Sequence, residues 1–208
     1  GISADLLDLS SYESVVDQCI ASFGSPDIAV YNMDAPPPGQ FDDVDEQMLA
    51  DAYHMVVLCY SRMLRHVLPT MKQKQWGRIV TIGSGTSKQL VRSSLNFGYT
   101  LANATRGAAS SLAKTVAAEV APFGITINTI GTGFIDTEQS RRWSEDRAVE
   151  NAIDTDAFVA GMVSHIPVGR RGTVDEMAAL CAYLCSQRAS FTTGETILCD
   201  GGMTNCIV

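Results

Sequence analysis

The apolar positions along the chain switch between two periods. Ser14–Phe23 (SVVDQCIASF) spaces its apolar residues as an amphipathic helix does. Ile28–Tyr31 is instead a short continuous apolar run between Pro26-Asp27 and Asn32, which predicts a buried strand. Ala35-Pro-Pro-Pro-Gly39 breaks the chain. A long helical pattern covers Asp45–Leu68 and is expected to stop near Pro69, because proline removes a helical N–H and crowds the preceding turn. Arg78–Ile82 predicts a second strand, Leu101–Val120 a helix rich in Ala and Ser, and Ile125–Ile130 a third strand punctuated by Gly131 and Gly133. Asp136–His165 is polar and helical with weak periodicity. Thr173-Val-Asp-Glu176 is a capping box that opens a helix running to about Ser186, and Glu195–Cys199 predicts the last strand. Strands that are continuous apolar runs, separated by helices, predict an α/β fold: a doubly wound parallel sheet covered on both faces. With no repeat, linker or low-complexity stretch, residues 1–208 read as a single domain.

Composition narrows the function classes. Of the 208 residues, 46% are apolar and 18% charged, which excludes a disordered or fibrous chain. The net charge of −8 carries no basic stripe, so nucleic acid and anionic membrane are poor partners. No apolar run approaches the roughly 20 residues of a membrane span. The six cysteines lie scattered in apolar stretches; Cys181 and Cys185, at i and i+4, are the pair that could share a metal. Buried thiols of a reducing cytosol fit them better, and the three histidines have no zinc spacing. A cytoplasmic protein without a metal is expected. The chain opens at Gly1 with neither an initiator Met nor a signal peptide, and reads as trimmed at its N-terminus.

Four passages carry a resemblance. They are Gly77-Arg-Ile-Val-Thr-Ile-Gly-Ser84; Gly124-Ile-Thr-Ile-Asn-Thr-Ile-Gly-Thr-Gly-Phe-Ile-Asp-Thr137; Pro167-Val-Gly-Arg-Arg-Gly172; and Thr193-Gly194 through Asp200-Gly-Gly202. In this order, and on these elements, they are similar to the strand leading to the catalytic Ser, the N-x-x-x-P-G-x-x-x-T segment and the C-terminal signatures of the short-chain dehydrogenase/reductase family. The resemblance implies a Rossmann-like fold, NAD or NADP binding, and a Ser-Tyr-Lys site often aided by an Asn. It also implies that roughly 50 residues are absent ahead of Gly1, more than one βαβ unit, with the Gly-rich turn that holds the pyrophosphate. Asp5 then falls where the family has an acid that contacts the adenine.

The resemblance assigns the site residue by residue. Ser84 takes the place of the family Ser. The N-N-A-G turn under the cofactor becomes Tyr31-Asn32-Met33-Asp34, in which only Asn32 survives; Asp34 either repels a pyrophosphate or points to solvent. The helical Asn falls near Met55 or Val56, and the adjacent His54 reads as a surface or interface residue. Counting back thirteen residues from Glu119 sets Arg106 in the Lys position and Ala102 in the Tyr position. Ala102 has no proton to give, and Arg106 keeps the positive charge in a wider fork. Tyr99 lies one helical turn before Ala102, so a rearranged Ser84/Tyr99/Arg106 site is the candidate catalytic set, with Tyr99 as plain packing the alternative. Gly133, Ile135 and Thr137 remain as cofactor-side positions, although Thr132 replaces the Pro before Gly133.

Two functions follow. Losses gathered at the chemistry, with scaffold signatures intact, point to a non-catalytic subunit that supports an active paralogue and itself binds no cofactor. The alternative is an NAD(P)-dependent oxidoreductase acting on a hydroxy/keto substrate through the rearranged site. Either way an oligomer is expected, homomeric or with such a paralogue, because Gly107, Ala108, Ala109, Ser110, Ser111, Ala113, Ala117 and Ala118 permit close helix packing across a twofold axis. Ile28–Tyr31 would otherwise be an exposed apolar edge, so further residues or another chain are expected to cover it.

Overall fold

The computed structural model describes residues 1–32, 34–91 and 98–207. Among the described residues four strands form one sheet: β1 (Ile28–Asn32), β2 (Gly77–Ile82), β3 (Ile125–Thr132) and β4 (Thr196–Cys199), in that spatial order. All three pairings are parallel, and Asn32, Ile82 and Ile130 come level across the register. The strand ends therefore open together on one side of the sheet. β1 forms an edge, with Ile28 and Val30 exposed.

Side-chain alternation divides two cores. Tyr31, Ile79, Ile125 and Ile127 face one side, against α1 (Ser11–Phe23) and against helical residues that include Cys59, Tyr60, Leu64, Met71, Ala113, Ala117 and Val120. Val80, Ile82, Ile130 and Ile197 face the other side, against a C-terminal helix through Met177, Leu180 and Leu184. Coverage of both faces explains why the strands read as unbroken apolar runs. The connections β1→β2 and β2→β3 use the first face, while β3→β4 moves the same way along the sheet over the second. The last crossover thus has the opposite hand to the first two, against the usual preference for one hand.

The long helical run differs from the sequence expectation. Asp45 caps it, its carboxylate accepting from the Met48 N–H at 2.7 Å, and α2 (Glu46–Tyr53) follows. A π-helical turn, His54–Leu58, leads into α3 (Cys59–Lys74). Pro69 lies inside α3 rather than ending it. It sits on the exposed side, where water can serve the carbonyl it leaves unbonded, while Val67, Leu68 and Met71 keep the opposite side buried past it. The helix stops beyond it at Gln75, in left-handed backbone. α1 begins three residues before its apolar periodicity, because Tyr12 is buried and its hydroxyl donates to Leu6 O at 3.0 Å.

α4 (Thr100–Val120) packs on its own sheet through Ala113, Ala117 and Val120, and a Cβ added at Gly107 would meet nothing within 4 Å. The polar stretch resolves into α5 (Glu138–Glu150) and α6 (Thr155–Val163). α7 (Val174–Cys185) opens with the capping box read from sequence: Thr173 Oγ1 accepts from the Glu176 N–H, and Glu176 Oε2 from the Thr173 N–H. Cys181 and Cys185 are half-buried free thiols side by side on α7, and burial pushes Cys185 up to about 11. Among the described residues no helix is long and apolar enough to cross a membrane.

Candidate active site

In an open parallel sheet the crevice beyond the strand ends is where ligands bind. Here it is bounded by Asn32 and Asp34 after β1, Gly83-Ser84 after β2, residues 133–137 after β3, and the second turn of α4. Thr132 Oγ1 donates to Gly83 O at 2.9 Å and ties the ends of β2 and β3 together. Gly133 lies so near the next strand end that a Cβ there would fall 2.6 Å from Asp200 Cα.

Ser84 and Arg106 face the same cavity. Ser84 begins a short 3-10 turn, its Oγ accepting from the Thr86 N–H at 3.2 Å, which leaves its own O–H free in direction. Arg106 reaches from α4 to donate to Asp34 O at 3.2 Å and forms no ion pair among the described residues. Burial lowers its pKa, opposed by Tyr31 and the Asp34 carboxylate. Both residues line a cavity of about 20 Å³, together with Tyr31, Tyr60, Thr81 and Ser110.

Tyr99 does not line that cavity. It stands at the N-cap of α4 and bridges to Gly39, where Gly98 is held because a Cβ would fall 2.2 Å from the Gly39 backbone. Burial pushes its phenol up. Of the three catalytic candidates, Ser84 and Arg106 line one cavity, and Tyr99, seven residues before Arg106, does not line it.

The cofactor candidates divide as well. Asn32 is exposed at the end of β1. Gly133 donates its N–H to Cys199 O at 3.0 Å. Ile135 is buried and bridges to Gly172, and Thr137 Oγ1 caps α5 by accepting from the Ser140 N–H at 3.1 Å. Asp5 closes an N-terminal turn, its carboxylate accepting from the Leu7 N–H at 2.9 Å. Met33 lies outside the described residues. The exposed Asp34 carboxylate accepts from the Ala35 N–H at 2.8 Å and from Gln139 Nε2 at 3.1 Å, spanning the crevice mouth. His54 is not a bare surface residue: its Nε2 donates to Leu7 O at 2.7 Å and holds the N-terminal segment. Sequence reasoning missed Tyr31, Tyr60 and Thr81 as cavity walls. Tyr31 carried a signal, standing where the resembling turn begins with Asn; the other two read as core.

The chain matches the family model described as enoyl-(acyl carrier protein) reductase over residues 2–204. It is 32% identical over 203 residues to the 3-oxoacyl-[acyl-carrier-protein] reductase FabG of Salmonella typhimurium, covering 98% of this chain and 77% of that protein. To the NADPH-dependent reductase BacG of Bacillus subtilis it is 27% identical over 206 residues, covering 99% and 78%. The crystal structure of YwfH, an NADPH-dependent reductase involved in bacilysin biosynthesis, superposes with a TM-score of 0.90 at 25% identity, covering 99% of this chain and 78% of that one. The L-sorbose reductase of Gluconobacter frateurii, complexed with NADPH and L-sorbose, shares the fold at a TM-score of 0.90 and 24% identity, covering 99% and 77%. With the strand-end crevice, the four ordered motifs and these matches along nearly its whole length, the chain belongs to the short-chain dehydrogenase/reductase family, a family of oxidoreductase ancestry.

Proposed function

We propose that this chain is an NAD(P)-dependent oxidoreductase that reduces the keto group of a hydroxy/keto substrate. The observation that carries the reading is that Ser84 and Arg106 line one cavity at the strand-end crevice. The relatives named as reductases support it. Ser84 Oγ, already accepting from Thr86, has its hydroxyl proton left to donate to the substrate oxygen. Arg106 supplies fixed positive charge where negative charge develops on that oxygen, and it cannot itself give up a proton.

When bound, the nicotinamide supplies the hydride. The donors at this end fit it: the planar Arg106 fork suits ribose hydroxyls, with Asn32 and the loop through Gly133, Ile135 and Thr137 beside it. Asp5 is the proposed adenine-side contact. The Asp34 carboxylate opposes a phosphate, so binding draws on the ribose end. Tyr99 is the proposed proton donor. Burial pushes its phenol up from its ordinary value, which disfavours the phenolate and suits giving a proton to an alkoxide more than taking one from an alcohol.

One observation favours a second reading, a non-catalytic subunit in an oligomer with an active paralogue: Ala102 stands where the family carries its Tyr. Calorimetry with NADH and NADPH, followed by steady-state assay on keto substrates, separates the two. Micromolar binding and turnover that Tyr99→Phe reduces by ~100-fold or more are expected. Absence of both binding and turnover, in a protein that forms a complex with its paralogue, would replace the first reading with the second.

A further inference from the structure

Two free thiols outside the proposed site are in contact. Cys181 and Cys185 stand at i and i+4 on α7, on neighbouring turns, and their side chains hydrogen-bond to each other. Both are half-buried and pack against the second core, the one around Val80, Ile130 and Leu184. The positions beside them on the same stripe of the helix, Ala178 and Ala182, are small and exposed, so the pair is reachable from solvent. It is poorly placed to oxidise. Side chains at this helical spacing have Cβ atoms about 5–6 Å apart, and a disulfide needs roughly 3.5–4.5 Å. Closing that gap would unwind the last turn of α7, so the two sulfurs persist as a reduced dithiol.

Charge and geometry narrow what such a dithiol binds. Burial, and after it the neighbouring Cys181, pushes the Cys185 thiol up to about 11, with Arg78 pulling the other way. The site therefore disfavours a product that leaves net negative charge on the sulfurs, as a monovalent soft cation would. Zinc takes four ligands in a closed site, and among the described residues no group of three or more His, Cys, Asp or Glu is placed to hold a metal ion. Mercury(II) gives a neutral product but through a linear bridge, which would force apart sulfurs already in contact. Trivalent arsenic gives a neutral product through a bent bridge, and it needs only two sulfurs when its third position carries an organic group.

We propose that Cys181 and Cys185 form a binding site for trivalent organoarsenicals, ligands that engage both sulfurs at once. The step is a condensation without redox change: an arsenoxide, R–As=O, and two S–H groups give one arsenic bonded to both sulfurs, and water. Two As–S bonds form, two S–H bonds and the As=O bond break, and both protons leave on the oxygen. Phenylarsine oxide added to the whole chain tests it. Expected are one arsenical per chain by intact mass, a loss of two titratable thiols, and an adduct that a dithiol removes and an equal concentration of monothiol does not. Cys181→Ala and Cys185→Ala should each abolish this resistant adduct. Cys199→Ala, which removes a third thiol packed against the same core, should keep it. A resistant adduct that survives Cys181→Ala or Cys185→Ala, or none in the parent, overturns the proposal. Crystallography reads the site without a variant: an anomalous arsenic peak between the two sulfurs supports it. Absence of that peak after soaking overturns it, as does mercury(II) bridging the sulfurs where the arsenical does not. None of these readouts uses cofactor or turnover, so the arsenical site can fail while the proposed oxidoreductase stands, or the reverse.

Discussion

Two arginines at opposite ends of the sheet show what separates scaffold from site. Arg78, at the start of β2, is 2% exposed. Its Nε donates to Ser186 O at 3.0 Å and its NH1 to Gly77 O at 2.8 Å and Gly124 O at 3.0 Å, with the guanidinium 4.6 Å above the Trp76 ring. Arg106, at the strand-end side, has one backbone carbonyl and otherwise faces a cavity and the crevice. Both are pulled from water, and burial lowers the pKa of each. The first has exchanged its hydration for fixed carbonyls and has little left to offer. The second keeps unspent donors beside Ser84. Polar saturation marks the end of the sheet that holds the fold together, and unspent polarity marks the end that can bind.

The largest expected effect breaks the saturated end. Arg78→Met strips three carbonyls of a charge-assisted donor at once. At roughly 1.5 kcal/mol each, the loss is about 4.5 kcal/mol, or ~9–18 °C in thermal midpoint. Arg78→Lys recovers only part, because one ammonium cannot address three directions. NAD(P)H affinity per folded molecule is expected to stay unchanged. Calorimetric unfolding and a cofactor titration check both halves, and a midpoint within ~2 °C of the parent would show that the carbonyls are served by water instead.

At the other end the sign of the comparison reverses. Arg106→Met is expected to shift the midpoint by less than ~3 °C while lowering turnover by ~100-fold or more, the usual cost of removing one preorganised donor. A variant that unfolds like Arg78→Met and retains turnover would erase the distinction between the two arginines.

The difference between the two ends also explains what the sequence could reveal. Strand placement was legible because burial on both faces demands unbroken apolar runs, as in Ile125–Ile130. The α7 start was legible because a capping box is local chemistry. Pro69 misled because its effect depends on which side of the helix meets water, and that is a tertiary fact. At the site, Ser84 and Arg106 followed from register. Tyr99 did not join them, because the bridge between Tyr99 and Gly39 fixes its position from across the chain. Tyr60 and Thr81 were illegible: a buried tyrosine and a strand threonine read as core until one cavity borders both.

A smaller effect sharpens the unsaturated end. The Asp34 carboxylate lies at the crevice mouth, held by the Ala35 N–H and Gln139. Asp34→Asn keeps an amide oxygen for both contacts and removes the charge. A carboxylate near a pyrophosphate is repulsive by several tenths to a few kcal/mol, so NAD(P)H binding is expected to tighten by ~3- to 30-fold. The gain should shrink as salt rises, since the interaction is exposed and screened. Equal affinity at low salt would mean that the carboxylate does not face the phosphates.

The smallest expected effect concerns a third arginine, which lies between the two extremes. Arg171 donates through NH1 to Asp136 Oδ1 at 3.1 Å and through NH2 to Ser144 Oγ at 2.9 Å, and lies 4.4 Å above the Phe134 ring. Arg141 binds the same carboxylate through two bonds of 2.8 and 2.7 Å. Arg141, and after it Arg171, holds the Asp136 carboxyl down at about 2, below its ordinary 3.8. A depressed folded pKa gives a contribution present above the ordinary value and lost as pH falls through the folded one, so the pair loosens between about pH 4 and pH 2. Asp136 is exposed, which keeps its share of global stability small. The loss is instead expected locally, at Trp143, whose ring lies 6.3 Å from Phe134 and 5.7 Å from Phe158. In a Trp76→Phe background, Trp143 emission should shift within that window before far-ultraviolet dichroism changes. Asp136→Asn should show the shifted emission already at neutral pH, because an amide cannot pair with two guanidiniums as a carboxylate does. If the variant and its parent titrate together, the carboxylate is not what ties Arg171 to the helix it faces, and Arg171 belongs with the saturated arginine of the scaffold rather than between the two.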